Sequence, residues 1–115
     1  MPTFTIRTAP TATIASGSSD SGSIDAAGSA LKRILVPSGT EGVALTVLHS
    51  ADGSTFLPAR DRDNDVIAFA FTAGSAVELE PTLLPGMQWF KLRTLSNTGS
   101  QTQSADRSLS VVCVE

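Results

Sequence analysis

With 115 residues and 11.9 kDa the chain is the size of one domain, and 41% hydrophobic against 17% charged residues leave enough apolar side chain for a buried core. Eight Lys+Arg against eleven Asp+Glu give a net charge of −3 and a pI near 5.0, a balance that disfavours a nucleic-acid binder, and no apolar run approaches the roughly 20 residues that cross a bilayer. One cysteine excludes an internal disulfide framework and a multi-cysteine zinc site, while one histidine and no tyrosine leave few general acids or bases.

In chain order, Phe4 and Ile6 alternate with Thr3, Thr5 and Arg7 to give a short strand, and Thr11 to Ala15 a second. This N-terminus lacks the long apolar core of a secretory signal. SGSSDSGSIDAAGS follows, with Ile24 its single large apolar residue. Such a stretch buries too little apolar surface to offset its ordering entropy. Residues 1–29 therefore read as an extended or flexible N-terminal arm, either loose or ordered against a neighbouring subunit, with the globular domain at 30–115.

From Ala30 the pattern becomes strands at even spacing. ALKRILVP (30–37) ends at Pro37, and VALTVLHS (43–50) sets Val43, Leu45 and Val47 on one face against Ala44, Thr46 and Leu48 on the other. Asp52-Gly53 marks a tight turn into Thr55–Ala59, and RDRDND is the next turn. VIAFAF (66–71) is apolar on both faces, as for a strand buried on both sides or lying in an interface. AVELE (76–80), a proline-framed loop (81–86) with one helical turn, MQWFKLRTL (87–95), a polar loop and RSLSVVCV (107–114) complete the chain. Seven or eight short antiparallel strands without an amphipathic helix predict an all-β fold, a β-sandwich or jelly roll.

Several residues are candidates for chemistry. His49, Ser50 and Asp52 lie within one short segment, but on a strand His49 and Ser50 point to opposite faces, which does not build a hydrolytic triad. His49 continues the inward row of Leu45 and Val47 and reads as a hydrogen-bonded histidine at the edge of the core. Asp61, Asp63 and Asp65 begin like a calcium loop, but the places of the required Gly and Glu hold Val66 and Thr72. With Arg60 and Arg62 interleaved, the run reads as a solvated turn. Cys113, in register with Leu109 and Val111, reads as a small core hydrophobe. No catalytic, metal or cofactor residues are assigned, and the chain reads as a non-enzyme.

Trp89, Lys91 and Arg93 share one face of their strand, opposite Phe90 and Leu92. If Phe90 and Leu92 are core, the tryptophan faces outward beside two cations, as at interfaces and sugar-stacking platforms. In the opposite register Trp89 is core and the two cations snorkel. Trp89, Lys91 and Arg93, with Phe4 and Ile6 of the arm, are the candidate interface or ligand contacts.

Two longer segments carry a resemblance. LTVLHSADGSTF (45–56) followed by LEPTLLPGMQWFKLRTL (79–95) resembles the Asp-Gly hairpin and long aromatic-basic strand of discoidin (coagulation factor 5/8 C-type) jelly rolls, and RSLSVVCVE is similar to their final strand. The chain lacks the terminal cysteine pair and most loop aromatics of the secreted members. This likeness implies a carbohydrate-binding module that adheres to host-surface glycans. The same order also resembles small virion proteins of tailed bacteriophages. The matching pieces are Leu31 to Pro37, Leu45 to Phe56, the acidic turn Arg60 to Asp65, Leu79 to Gly86, Lys91 to Arg93, and Gln103 to Arg107 with its Ala105-Asp106-Arg107. That resemblance implies a capsid decoration (cement) protein on the virion surface, made in the host cytoplasm. Its partners would be the major capsid protein and sister subunits in a homotrimer, with no nucleic acid, membrane or cofactor.

Overall fold

Alternation along the last strand sets the frame: in Arg107–Val114 the side chains of Leu109, Val111 and Cys113 are fully buried while Ser108 and Ser110 are exposed. The computed structural model describes residues 6–8, 11–26, 28–79 and 88–114, and in them ten short strands form two antiparallel sheets packed as a sandwich, with no helix. In sheet I, β1 (Ile6–Thr8) and β2 (Ala12–Ile14) follow one another along β10 (Arg107–Val114). Next to β10 lies β4 (Ala30–Leu35), and beyond it β8 (Ala76–Glu78). In sheet II, β3 (Ile24–Asp25) pairs β9 (Trp89–Leu95), which pairs the whole of β5 (Ala44–Ser50). The far edge of β5 is shared by β6 (Leu57–Pro58) and β7 (Ala68–Ala70). Taking β1 with β2 and β6 with β7 as one position each leaves eight. Their order is then 1-8-3-6 facing 2-7-4-5, the connectivity of a jelly roll.

The core between the sheets is almost wholly aliphatic. Leu31, Ile34, Leu109 and Val111 of sheet I meet Leu45, Val47, Leu92 and Phe90 of sheet II, all fully buried. Leu31 and Ile34 both point inward although three residues apart. The ladder between β4 and β10 explains this: Leu31 pairs Cys113 and Arg33 pairs Val112, so Lys32 is the extra residue of a β-bulge that resets the alternation.

The segment expected as an arm is, over its described residues, part of the sandwich. It supplies strands to both sheets, and Ala12, Ile14, Ile24 and Ala26 are core residues. Its Ser/Gly stretch is held by backbone groups rather than by side-chain burial: Ser21 N–H donates to Leu92, Thr94 N–H to Ser19, and Gly22 N–H to Thr13. The bridges Ile14 to Ser21 and Asp20 to Arg93 thereby tie β2 of sheet I to β9 of sheet II along one side. No boundary falls at residue 29. Phe4 and the loop 81–86 lie outside the described residues.

The run 66–71 also differs from its two-sided expectation. Within this chain only one face is covered: Ile67 is buried and Phe69 and Phe71 are half-buried against the core, while Val66, Ala68 and Ala70 are exposed. The cause is position, since β7 is an edge strand. Between β6 and β7 the chain leaves the edge as a small hairpin, bridged Arg60 to Val66 and closed at its base by Ile67 N–H donating to Ala59.

Gly42, with φ of 122°, brings the chain into β5 so close to β9 that a Cβ there would lie 2.9 Å from the Leu95 carbonyl oxygen. Gly42→Ala is expected to lower stability by roughly 1–3 kcal/mol through backbone strain. Gly99→Ala, where nothing lies within 4 Å, serves as the near-silent comparison. The midpoints of urea unfolding curves check both.

Candidate functional site

The hairpin Ser50–Phe56 is built by side chains that bond their own backbone. Ser50 Oγ donates to Asp52 Oδ1 at 2.9 Å and accepts from Gly53 N–H at 2.8 Å. Asp52 Oδ1 also accepts from the N–H groups of Ser54 (2.8 Å) and Thr55 (2.9 Å). The Thr55 and Ser54 N–H donors, with the Ser50 hydroxyl, hold the Asp52 carboxyl down at about 2 from an ordinary 3.8. Gly53 adopts φ of 79°, and a Cβ there would lie 3.5 Å from the Trp89 indole. Phe56 continues over the sheet, where the Lys91 ammonium sits 4.5 Å from its ring centroid. Serine, aspartate, glycine and phenylalanine each have a separate mechanical task in this turn.

Trp89, Lys91 and Arg93 do share the outer face of sheet II, because Phe90 and Leu92 are fully buried in the core. The register that would bury Trp89 in the core is therefore not the one adopted. All three side chains are half-buried, each covered by the chain itself. Trp89 lies against Gly53 and Lys91 over Phe56. Arg93 grips Asp20 with two bonds, Nε to Oδ1 at 2.6 Å and Nη2 to Oδ2 at 3.0 Å. Hydrogen bonding by Arg93 holds the Asp20 carboxyl below its usual range and raises the guanidinium in turn. Ile6 lies elsewhere, on β1 of sheet I opposite Val114, so the candidate contacts do not form one patch.

His49 is half-buried at the end of the inward row, paired across the ladder with Phe90. Its Nε2 is buried with no hydrogen-bond partner among the described residues, where the sequence led to a hydrogen-bonded imidazole, and desolvation lowers its pKa. The Ser50 hydroxyl is engaged with Asp52, not with His49. Beside them an open groove of about 540 Å³ is lined by His49, Asp52, Thr55, Leu57, Pro58 and Arg60. In the acidic turn, Asp61 Oδ1 accepts from the N–H groups of Asp63 and Asp65. Cys113 is fully buried. Among the described residues no three His, Cys, Asp or Glu side chains are grouped to hold a metal ion.

The segment Gln103–Arg107 forms the polar end of the sandwich. Gln103 is buried, and its side-chain amide has every group matched. Nε2 donates to Glu41 C=O (2.7 Å) and Thr94 Oγ1 (3.0 Å), while Oε1 accepts from Glu41 N–H (2.9 Å) and Arg107 Nε (3.3 Å). Asp106 accepts from Ser16 N–H at 2.8 Å. The Glu41 carboxylate takes the Ser104 hydroxyl and N–H and faces Arg107 at 3.5 Å; the Ser104 bonds are the main cause of its lowered pKa. Sequence reasoning missed Gln103, Thr94, Glu41 and Ser21 as organising residues. Only the Gln103–Arg107 segment of the resemblance pointed toward any of them.

No family model, no curated protein and no solved structure matches this chain.

Gln103→Glu keeps the shape but sets an acceptor against the Glu41 carbonyl. The unmatched groups are expected to cost about 2–3 kcal/mol in denaturant unfolding, the scale of a buried unsatisfied polar group. The depressed Asp52 pKa has its own signature. Because the folded value lies below the unfolded one, the stability it contributes is complete above about 4 and is lost as pH falls toward about 2. Asp52→Asn should therefore melt below the wild type at neutral pH, with the gap closing on acidification. A carboxyl titration midpoint near 3.8 by NMR would contradict this.

Proposed function

We propose that this chain is a structural protein of a bacteriophage particle, a capsid decoration (cement) protein that stabilises the head through subunit contacts. The observation that carries the reading is where the resembling segments do their work. The Ser50–Phe56 hairpin and the Gln103–Arg107 segment commit their hydroxyl, carboxylate, amide and guanidinium groups to bracing the sandwich. That use suits a protein whose task is to present a rigid surface. The exposed side chains of Ser108, Ser110, Ala68 and Ala70 are short, so they lose little rotamer freedom on docking. The partners are the major capsid protein and sister subunits, arranged around a symmetry axis, with a trimer the proposed assembly.

The test is co-assembly. Expressed with a phage major capsid protein that assembles into shells, the chain is expected to sediment with the shells at a fixed ratio and to raise the temperature at which they come apart. Chain left at the top of the gradient, with shells equally stable without it, would overturn the reading.

A second reading, a glycan-binding module, is favoured by one observation: Trp89 stands half-buried on the outer face of sheet II, between Ser50 and Asp25 across its two ladders. It predicts that a glycan array gives binding that quenches Trp89 fluorescence and vanishes in Trp89→Ala.

A further inference from the structure

Asp52-Gly53 is the only Asp-Gly pair in the chain, and no Asn-Gly occurs. Such a pair can react with itself. Glycine has no Cβ to hinder its nitrogen, so in a mobile turn the Gly53 amide can close onto the side-chain carbon of Asp52. The Gly53 nitrogen joins Asp52 Cγ, the Cγ–OH bond breaks, and the amide proton leaves with that hydroxyl as water. The resulting succinimide takes water back at either of its carbonyls. Attack at Cγ restores aspartate. Attack at the main-chain carbonyl leaves isoaspartate, whose backbone runs through Cβ and Cγ and is longer by one methylene. Nothing is oxidised or reduced, and water is the only reagent; Asp52 and Ser54 are exposed, so it reaches the turn.

The closed hairpin obstructs each step. The nucleophile has to shed its proton, but Gly53 N–H is donated to Ser50 Oγ at 2.8 Å. The carboxyl has to be protonated for its hydroxyl to leave. Oδ1, however, accepts from the Ser50 hydroxyl and from the N–H groups of Ser54 and Thr55, which favours the carboxylate. With the carboxyl at about 2 rather than 3.8, its protonated fraction at neutral pH is about 60-fold smaller than in an open turn. Ring closure also has to swing the Gly53 nitrogen toward Cγ, and Gly53 is fixed at φ of 79° against the Trp89 indole. One hydroxyl serves two of these restraints, since Ser50 Oγ accepts from the nucleophile and donates to the carboxylate. Its own place is set by β5, where Ser50 is buried and pairs Trp89.

We infer that Asp52-Gly53 is a latent site of succinimide-mediated isomerisation gated by the Ser50 hydroxyl. Aspartate persists there while the hairpin is closed and converts to isoaspartate when it opens. Once the extra methylene is in the turn, the carboxylate hangs from Cα and no longer caps the Ser54 and Thr55 N–H groups, so the hairpin does not close again in its original form. Ser50 is a positioning residue that keeps the turn chemically intact. The inference needs no partner and is independent of both the virion and the glycan readings.

The full chain, incubated folded at mildly acidic pH beside the same chain unfolded in urea, tests it. Isoaspartate at residue 52 is counted by peptide mapping and by labelling with an isoaspartyl methyltransferase. The folded chain is expected to convert at least about tenfold more slowly, a bound set by its depleted carboxylic acid. Ser50→Ala leaves the Ser54 and Thr55 bonds in place and is expected to speed conversion several-fold in the folded chain, whereas Ser50→Thr, which keeps the hydroxyl, stays slow. Gly42→Ala strains the far end of β5 and leaves the hairpin alone, so it separates a local gate from a general loss of stability. Equal rates in the folded and unfolded chain, Ser50→Ala as slow as the wild type, or Gly42→Ala as fast as Ser50→Ala would each overturn the proposal. Should circular dichroism show that Ser50→Ala does not fold, the folded-to-unfolded ratio and the slow rate of Ser50→Thr decide it.

Discussion

Four hydrogen bonds converge on the side-chain amide of Gln103, and through them the approach to β5, strand β9 and the start of β10 become one end of the sandwich. The amide is shut away from water, so each donor and acceptor it offers has to find its match in protein. That requirement fixes Glu41 at the entry to β5, Thr94 within β9 and Arg107 at the start of β10 relative to one another. The backbone of the same residue then reaches the N-terminal segment, accepting from Gly17 N–H and donating to Ser18 C=O. From there the chain passes Asp20, clamped by Arg93, and Ser21, whose hydroxyl accepts from Leu92 N–H. A segment too polar to fold by burial is thus ordered by backbone and side-chain hydrogen bonds to its neighbouring strands.

The same economy governs the charges. Arg93, Arg33, Arg107 and Lys91 each lie against a group of this chain: Asp20, Glu78, Glu41 and the Phe56 ring respectively. These contacts lie at or near the surface, where an ion pair adds little net stability. Their effect is to fix loops over the sheet faces, and they leave few free cations on the described surface to attract polyanions. What the described surface then offers is shape and short side chains rather than a concentrated charge.

Much of the fold was legible from period-two alternation, and the failures have definite causes. Strands β4, β5, β9 and β10 were visible because their apolar rows are long and regular. β3 was not, since Ile24 is a single apolar residue in a Ser/Gly/Asp/Ala stretch and its neighbours are held by main-chain groups that composition does not register. VIAFAF misled for the opposite reason. Alanine at 68 and 70 scores as apolar yet tolerates exposure, so an edge strand carried the pattern of a buried one. At the candidate site, the opposite faces of His49 and Ser50 followed from strand geometry alone. The buried Nε2 of His49 and the central place of Gln103 did not, because both depend on tertiary contacts that strand alternation does not register.

The hairpin between Arg60 and Val66 interrupts an edge strand without disturbing it. Ala59 N–H still reaches Val47, and Ile67 N–H still closes onto Ala59, so the ladder on either side is sealed beneath the turn. Everything beyond that seal is exposed and, among the described residues, hydrogen-bonds within itself. The entropy of closing a longer loop rises only slowly with its length. The fold therefore contains a ready graft point, where a foreign peptide or a small inserted domain can hang outside the sandwich while both sheets keep their register.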